Sequence, residues 1–281
     1  MPIFSTNPSK RWTEMFFLFY SPFWITLCLL IIVPFKVYEA CGNYGYMLIG
    51  LSCALPLFII PLFLDNTDKD KPLKDRFWVK ANLWIAIYSF IGNYFYTHYF
   101  YKVLGAKYTF VSWRLNDVPI TLYFMTQAYF CFYHALSNII IRSVGSLFSR
   151  VRSPIRIFFQ GLSIFVLSYA TAYGETLTIS NFPYYSFVDK DRMYTVGSFF
   201  YAIYFFVSFP MFYRIEEPTR AANGKIQPPR KWSLWEVFVD SMGTGMIVLI
   251  LLDFWRIFLG NIYPSLGSGP SSGAAESLPW M

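Results

Sequence analysis

Long apolar runs separated by short polar segments divide the chain from its first residues to its last quarter. A helix needs about 20 apolar residues to cross roughly 30 Å of hydrocarbon. Because isolated strands cannot satisfy their backbone groups in lipid, each run is predicted to be a helix. The pattern therefore predicts an all-α, polytopic transmembrane helical bundle of about seven spans. The predicted spans are residues 16–35, 45–64, 81–101, 119–141, 157–180, 195–213 and 242–259.

The composition supports one integral-membrane domain over residues 1–281. Hydrophobic residues make up 56% of the chain and charged residues 14%, whereas soluble domains carry about 25% charged residues. The last residues, 265–281 (SLGSGPSSGAAESLPWM), have the composition of a linker and are expected to form a disordered tail.

The basic residues alternate between the two ends of the predicted spans. The amino-terminal segment and the second, fourth and sixth loops hold 16 Lys and Arg residues, whereas the other loops and the tail hold 6. By the positive-inside rule, the amino terminus is predicted to be cytoplasmic and the carboxyl terminus to lie on the opposite, lumenal side. The net charge of +7 is thus attributed to the basic residues that orient the chain in the membrane. Nucleic acid is not expected as a partner.

Motifs that bind metals or nucleotides are missing from the sequence. The four cysteines form no CxxC pair, and the two histidines do not have ligand spacing. A Gly-rich phosphate loop and a GxSxG elbow are also missing. We therefore expect neither a metal nor a cofactor, and the sequence does not indicate a protein partner.

Glu175 is the most unusual residue of the predicted spans. An ionisable side chain inside a membrane helix costs about 2.5–3.5 kcal/mol on insertion scales, and such residues usually face the bundle interior. No Lys or Arg lies within a helical turn of it. Ser168, Thr171 and Thr178 lie at steps of three and four around it, on the same helix face.

Three other spans carry polar residues with comparable spacing. Two of these stripes are Gln127, Cys131, His134, Asn138 in the fourth span and Asn82, Ser89, Asn93, Thr97 in the third, with His98 beside the latter. In the seventh span Asp253 lies three residues before Arg256, with which it could form a self-neutralising pair. Contacts between helices would explain most of the uncharged members. For His134, a satisfied bundle histidine and a working acid or base are both open.

Several long strings make the chain similar to a known family. NPSKRWTEMFFLFYSPFW (7–24), DRFWVKANLW (75–84), GNYFYTHYFYKVLGAKYTF (92–110), ETLTISNFPYYSFVD (175–189) and FYAIYFFVSFPMFYR (200–214) resemble the cycloeucalenol cycloisomerases of plants and some protists. The resemblance implies an isomerase of sterol biosynthesis in the endoplasmic reticulum membrane, without a known cofactor. Its substrate would be a cyclopropyl sterol taken from the lipid bilayer, with the exact methylation pattern left open.

The reaction that the resemblance implies is proton chemistry alone. The 9β,19-cyclopropane ring of cycloeucalenol opens to give obtusifoliol by protonation at C19 and loss of the C8 proton. Burial disfavours the charged form of a carboxyl group, so Glu175 is the expected acid. His98 or His134 is the expected base or relay, and Asp253 is a reserve carboxylate.

Aromatic and polar residues near the ends of the third and fifth spans are the expected substrate contacts. Aromatic faces stabilise a cation by cation–π attraction, which suits the positive charge that develops at C9. These candidates are Asn93, Tyr94, Tyr184 and Tyr185. Polar stripes and aromatic residues would equally suit a sterol-binding or sterol-transport membrane protein that performs no catalysis, which is the alternative function.

Overall fold

Each of the seven predicted apolar stretches coincides with helical structure. The computed structural model describes residues 3–149, 151–179, 182–220, 226–260 and 262, so the predicted disordered tail, 265–281, lies outside the described residues. The α-helices are α1 (Pro8–Ile25), α2 (Val37–Ala40), α3 (Asn43–Ala54), α4 (Pro56–Leu64), α5 (Phe77–Ile91), α6 (Thr97–Val103), α7 (Ile120–Leu147), α8 (Ser153–Ile179), α9 (Lys190–Arg192), α10 (Ser198–Tyr213) and α11 (Leu234–Phe258).

Within the described part of the chain, three π-helical segments interrupt or extend these helices, at Thr26–Ile32, Gly92–Tyr96 and Met193–Gly197. The first continues α1, the second joins α5 to α6, and the third joins α9 to α10. A 3₁₀ turn, Leu73–Asp75, precedes α5. A π segment contains an extra residue per turn, which often marks a functional position.

Local sequence signals explain where two of the membrane helices begin. The Asn7 side chain accepts a hydrogen bond from the backbone N–H of Ser9, and Pro8 occupies the first helical position of α1. Ser233 and Glu236 form a reciprocal capping box at the start of α11. Both helices begin before the predicted spans 16–35 and 242–259, because capping residues and polar first turns extend them beyond the apolar runs.

Helix α7 lies in the middle of the bundle. It packs against α1, α3, α5, α8 and α10, while α10 also packs against α8 and α11, and α11 against α5. All four members of the predicted stripe on α7 are buried. Gln127 donates to the Asn82 side chain of α5 at 3.1 Å, so the stripes of these two helices meet as expected.

Loops that alternate along the chain gather at opposite ends of the bundle. At one end, strand β1 (Lys107–Tyr108) pairs antiparallel with β4 (Tyr185–Ser186), and the Tyr38 ring contacts the Tyr184 ring. We call this the strand end. Two further ladders, β2 (Arg114–Leu115) with β3 (Val118–Pro119) and β5 (Thr219–Arg220) with β6 (Ile226–Gln227), are equally short.

Buried charges hold the other end together, which we call the charged end. Arg142 binds Glu14 of α1 at 2.7 Å and Glu217 after α10 at 2.7 Å. Lys10 pairs with Glu217 at 2.9 Å, and Lys80 pairs with Glu216 at 2.5 Å. Residues near the ends of α1, α5 and α7 are therefore joined to the segment after α10 by ion pairs.

Five helical segments among the described residues are long and apolar enough to cross a membrane, fewer than the seven predicted. They are Pro8–Ile32, Asn43–Leu64, Ser153–Ile179, Lys190–Tyr213 and Leu234–Phe258. The predicted spans 81–101 and 119–141 do not meet this criterion. Their polar residues, such as Asn82 and Gln127, pair with each other inside the bundle and lower the hydropathy of both segments.

Candidate active site

A large apolar cavity of about 560 Å³ lies beside α7 and α8, within the range typical of small-molecule sites. Its walls come from the end of α1 and the following π segment, from α3, α7 and α8, and from the segments on either side of these helices. The lining residues are Trp24, Ile25, Cys28, Leu29, Ile32, Val33, Tyr38, Tyr46, Ile49, Tyr108, Phe110, Thr121, Leu122, Met125, Tyr129, Phe132, Tyr133, Leu136, Leu167, Ala170, Thr171, Gly174, Glu175, Thr178, Ile179 and Phe182.

One wall of this cavity reaches the outer surface of the bundle. Leu29 and Val33, which line the cavity, are 37% and 41% exposed. The neighbouring Leu30 and Ile31 are also exposed apolar residues. In a bilayer, such a surface would contact lipid acyl chains, so an apolar ligand could reach the cavity from the membrane.

Glu175 is the one carboxylic acid among the described residues that line the large cavity, and Lys, Arg and His are missing from that lining. It lies one turn before the end of α8. The Tyr201 hydroxyl of α10 donates to its Oε2 atom at 2.9 Å, and the Tyr133 hydroxyl of α7 lies near the same carboxyl group. Both phenols are neutral donors, so the carboxyl group is positioned without an ion pair to either.

A smaller cavity of about 110 Å³ lies on the other side of Glu175. Five residues line both cavities: Tyr108, Leu122, Tyr129, Glu175 and Ile179. Burial raises the pKa of Tyr108, which lies outside the helices, so its phenol stays protonated as a hydrogen-bond donor. Glu175 thus stands in a wall between an apolar cavity and a more polar one.

His134 lies apart from the described lining of both cavities, in an aromatic cage. Rings of Trp84, Tyr88, Phe209 and others surround it within about 6 Å. Its Nδ1 lies 2.8 Å from the Phe130 carbonyl oxygen, and its Nε2 lies 3.0 Å from the Ser208 hydroxyl. Because a carbonyl can only accept, Nδ1 carries the proton and Nε2 accepts from the hydroxyl.

The other two ionisable candidates lie in the α6 and α11 regions of the bundle. His98 is buried, its Nε2 atom has no hydrogen-bond partner among the described residues, and its ring meets that of Tyr101 edge-on. Asp253 is bound by Arg256 at 3.0 Å and receives the Tyr99 hydroxyl at 3.3 Å. Neither His98 nor Asp253 is among the residues that line the two cavities.

The four predicted substrate contacts divide into two pairs. Asn93 and Tyr185 line the small cavity, where Tyr185 stacks on Tyr108 with centroids 4.2 Å apart. Tyr94 and Tyr184 line neither cavity: Tyr94 stacks on Phe90, and Tyr184 contacts Tyr38 and Phe182. The structure therefore brings Glu175, Asn93 and Tyr185 together and leaves the other five candidates at separate positions.

Sequence reasoning missed the two phenols that position Glu175, and it missed the charged end. Tyr133 and Tyr201 are two of 22 tyrosines, and spacing along either helix does not distinguish them from the others. Glu14 carried a detectable signal, since it directly precedes the apolar run Met15–Tyr20. Its side-chain partners Asn138 and Arg142 lie far away in sequence.

Metal ligands do not converge in the part of the chain that the structure describes: no group of three or more His, Cys, Asp or Glu side chains could hold a metal ion there. The described lining of the large cavity offers one carboxyl group, several phenols and aromatic faces. Such a set can donate and accept protons and can stabilise a positive charge on an apolar ligand.

Comparison with known proteins identifies a close relative. The chain is 50% identical, over 276 residues, to the cycloeucalenol cycloisomerase of Arabidopsis thaliana. The match covers 98% of the chain and 95% of that protein. No protein-family model matches the chain, and no solved structure matches it significantly.

Proposed function

The chain belongs to the cycloeucalenol cycloisomerase family and is a sterol isomerase, and we propose that Glu175 supplies the proton that opens the cyclopropane ring. The observation that carries this assignment is the position of Glu175, which among the described residues is the one carboxylic acid lining an apolar cavity of about 560 Å³. A cyclopropyl sterol is almost entirely apolar, so it suits walls built from aromatic and aliphatic side chains. The substrate is cycloeucalenol or a sterol with a related methylation pattern.

The first step transfers the Glu175 proton to C19. The electron pair of the C9–C19 bond takes up the proton, C19 becomes a methyl group that stays attached to C10, and C9 becomes a tertiary cation. Aromatic lining residues such as Tyr129, Tyr133 and Phe132 offer their faces to this cation. An apolar site also keeps water from capturing the cation.

The second step removes the C8 proton, and the electrons of the C8–H bond form the 8,9 double bond. The Glu175 carboxylate produced in the first step is already at the cavity wall and next to the developing charge. We therefore propose that Glu175 acts first as acid and then as base, which returns its proton at the end of the cycle. His98, His134 and Asp253 would then stabilise the helix bundle and take no part in the two proton transfers.

The test of the acid assignment is Glu175→Gln, which keeps the shape of the side chain and removes the transferable proton. Conversion of a 9,19-cyclopropyl sterol in membranes should fall by at least about a hundredfold, the size of a general acid contribution. Glu39→Gln, an exposed carboxyl in the 33–42 segment, is the control and should keep full activity.

Near-normal conversion by Glu175→Gln would refute the assignment. The alternative function is sterol binding or transport without catalysis. It predicts that the unaltered protein binds the cyclopropyl sterol and that the extracted sterol keeps the retention time of the substrate. The isomerised product has the same mass but a different retention time, so chromatography of the extracted sterols separates the two functions.

The helices that carry the site are proposed to cross the endoplasmic reticulum membrane seven times. Besides the five clearly apolar segments, α5–α6 and α7 would cross as well, since α7 alone spans about 42 Å at 1.5 Å per residue. Successive loops lie alternately at the strand end and at the charged end, as expected if every span crosses the membrane. The excess of Lys and Arg at the charged end supports a cytoplasmic amino terminus and a lumenal carboxyl terminus.

A further inference from the structure

The small cavity on the far side of Glu175 has a different character from the large one. Its lining includes the hydroxyl or amide groups of Asn93, Thr97, Thr126, Thr176 and several tyrosines. The Asn93 side chain donates to the Thr126 hydroxyl at 3.1 Å. A sterol cannot fit into about 110 Å³, so only a much smaller molecule could occupy this space.

The carboxyl group of Glu175 connects the two cavities. Its Oε2 atom accepts the hydroxyl of Tyr201, which lines only the small cavity, while Tyr133, near the same carboxyl group, lines only the large one. Leu122, Tyr108, Tyr129 and Ile179 complete the shared wall. A proton held by Glu175 is therefore accessible from both sides.

We propose that the small cavity holds water in contact with Glu175 and exchanges the carboxyl proton with solvent between turnovers. Buried water needs a roomy site with two to four polar partners, and each molecule occupies about 30 Å³. The cavity offers both, since its volume of about 110 Å³ exceeds the roughly 10–15 Å³ that one water molecule needs. It lies at the strand end of the bundle, where Tyr185, Phe187 and Met193 form part of its wall.

The exchange leaves the chemistry of the isomerisation unchanged. In heavy water, the protonated carboxyl and one water molecule trade a proton for a deuteron, and no net charge or electron moves. This inference rests on the proposed function, in which Glu175 takes the C8 proton and keeps it for the next substrate. Without exchange, that same proton would pass to C19 of the following sterol molecule.

The origin of the C19 hydrogen therefore tests the role of the small cavity. Thr126→Leu puts a larger apolar side chain into this space and removes the hydroxyl that Asn93 binds. In heavy water, the deuterium content at C19, measured by mass spectrometry per product molecule, should fall several-fold relative to the unaltered protein. With a sterol deuterated at C8, in ordinary water, the label found at C19 should rise in the variant.

Two further variants keep the test decisive. Ser163→Leu adds the same side chain to α8, away from both cavities, and should give the label content of the unaltered protein. Asn93→Leu serves as a second filling variant if Thr126→Leu does not fold. Equal C19 label in the filled and unaltered proteins would overturn the water site, whereas full activity of Glu175→Gln would overturn the proposed function itself.

Discussion

At the scale of single residues, the partners of Glu175 distinguish it from the buried acids of the charged end. Glu14 and Glu217 are bound by cations, so their charge is compensated and they hold helices together. Glu175 is hydrogen bonded to the neutral Tyr201 phenol and faces a ligand-sized space. An acid must give up its proton during the reaction, and a carboxyl fixed as an anion by Arg or Lys has none to give.

The hydrogen bond from Tyr201 should matter for turnover. Tyr201→Phe removes the donor to Glu175 Oε2, and hydrogen bonds to charged groups contribute about 1.5–3 kcal/mol. Because this bond stabilises the carboxylate formed after proton transfer, we expect kcat to fall by about ten- to a hundredfold at similar KM. Tyr20→Phe, which loses a buried hydroxyl bonded to the Cys53 carbonyl, is the matched control and should retain the kcat of the unaltered protein.

His134 gives a second residue-scale prediction. Both ring nitrogens already have partners inside the aromatic cage, so His134→Phe should mainly destabilise the protein. The substitution removes the hydrogen bonds of the imidazole to the Ser208 hydroxyl and the Phe130 carbonyl. A buried polar group that loses its partner costs about 1–3 kcal/mol of folding free energy. The thermal midpoint in detergent should fall while the activity of the folded fraction persists; loss of that activity would instead support His134 as a base or relay.

At the scale of elements, the π segments coincide with the cavities. Cys28, Leu29 and Ile32 of the first segment line the large cavity, while Asn93 of the second and Met193 of the third line the small one. A π turn displaces one residue from the regular helical ladder and widens the helix locally. The segments thus leave space beside Glu175 where three uniform α-helices would close against one another.

The charged end joins elements that are far apart in sequence, and Arg142 is its centre. Arg142→Met would keep much of the side-chain volume but leave Glu14 and Glu217 without a guanidinium partner. Removing one partner of a buried ion pair typically costs about 3–5 kcal/mol. Unfolding in detergent should shift accordingly, and Arg114→Met, an exposed arginine of β2, should shift it by well under 1 kcal/mol.

The same cluster predicts how stability changes with acidity. Burial alone would raise the pKa of Glu217, but Lys10 and Arg142 outweigh it and hold that pKa below the ordinary value. A lowered pKa in the folded state stabilises the fold above the unfolded value, about 4.3 for Glu. The thermal midpoint should therefore fall as the pH drops below about 4.3, and Glu217→Gln should weaken this dependence.

At the scale of the whole molecule, the two ends of the bundle determine which loops face each side of the membrane. The loop between α6 and α7 distinguishes seven crossings from five, because it is lumenal only if α5–α6 and α7 both cross. In a background without the four native cysteines, Asn116→Cys should react with an impermeant maleimide only after the membrane is opened. Lys69→Cys, in the loop before α5, should react from the cytoplasmic side; equal labelling of both in sealed vesicles would contradict seven crossings.

The sequence by itself determined the helical class, the apolar segments and the family, because hydropathy and long strings that resemble a known family can be read from the chain alone. It also singled out Glu175, since a lone carboxyl in an apolar run is conspicuous without coordinates. Of the residues on its predicted face, Thr171 and Thr178 line the large cavity with Glu175, whereas Ser168 is not among the described residues that line either cavity.

Only the tertiary structure decided which residues surround Glu175. Tyr133 and Tyr201 come from other helices, and contact between helices depends on their packing, which a pattern along one helix does not contain. For the same reason the sequence proposed His98 or His134 as base or relay and Asp253 as a reserve carboxylate beside Glu175, whereas the fold gives these residues other neighbours. Periodicity fixes the face of a residue, and three-dimensional packing decides what that face meets.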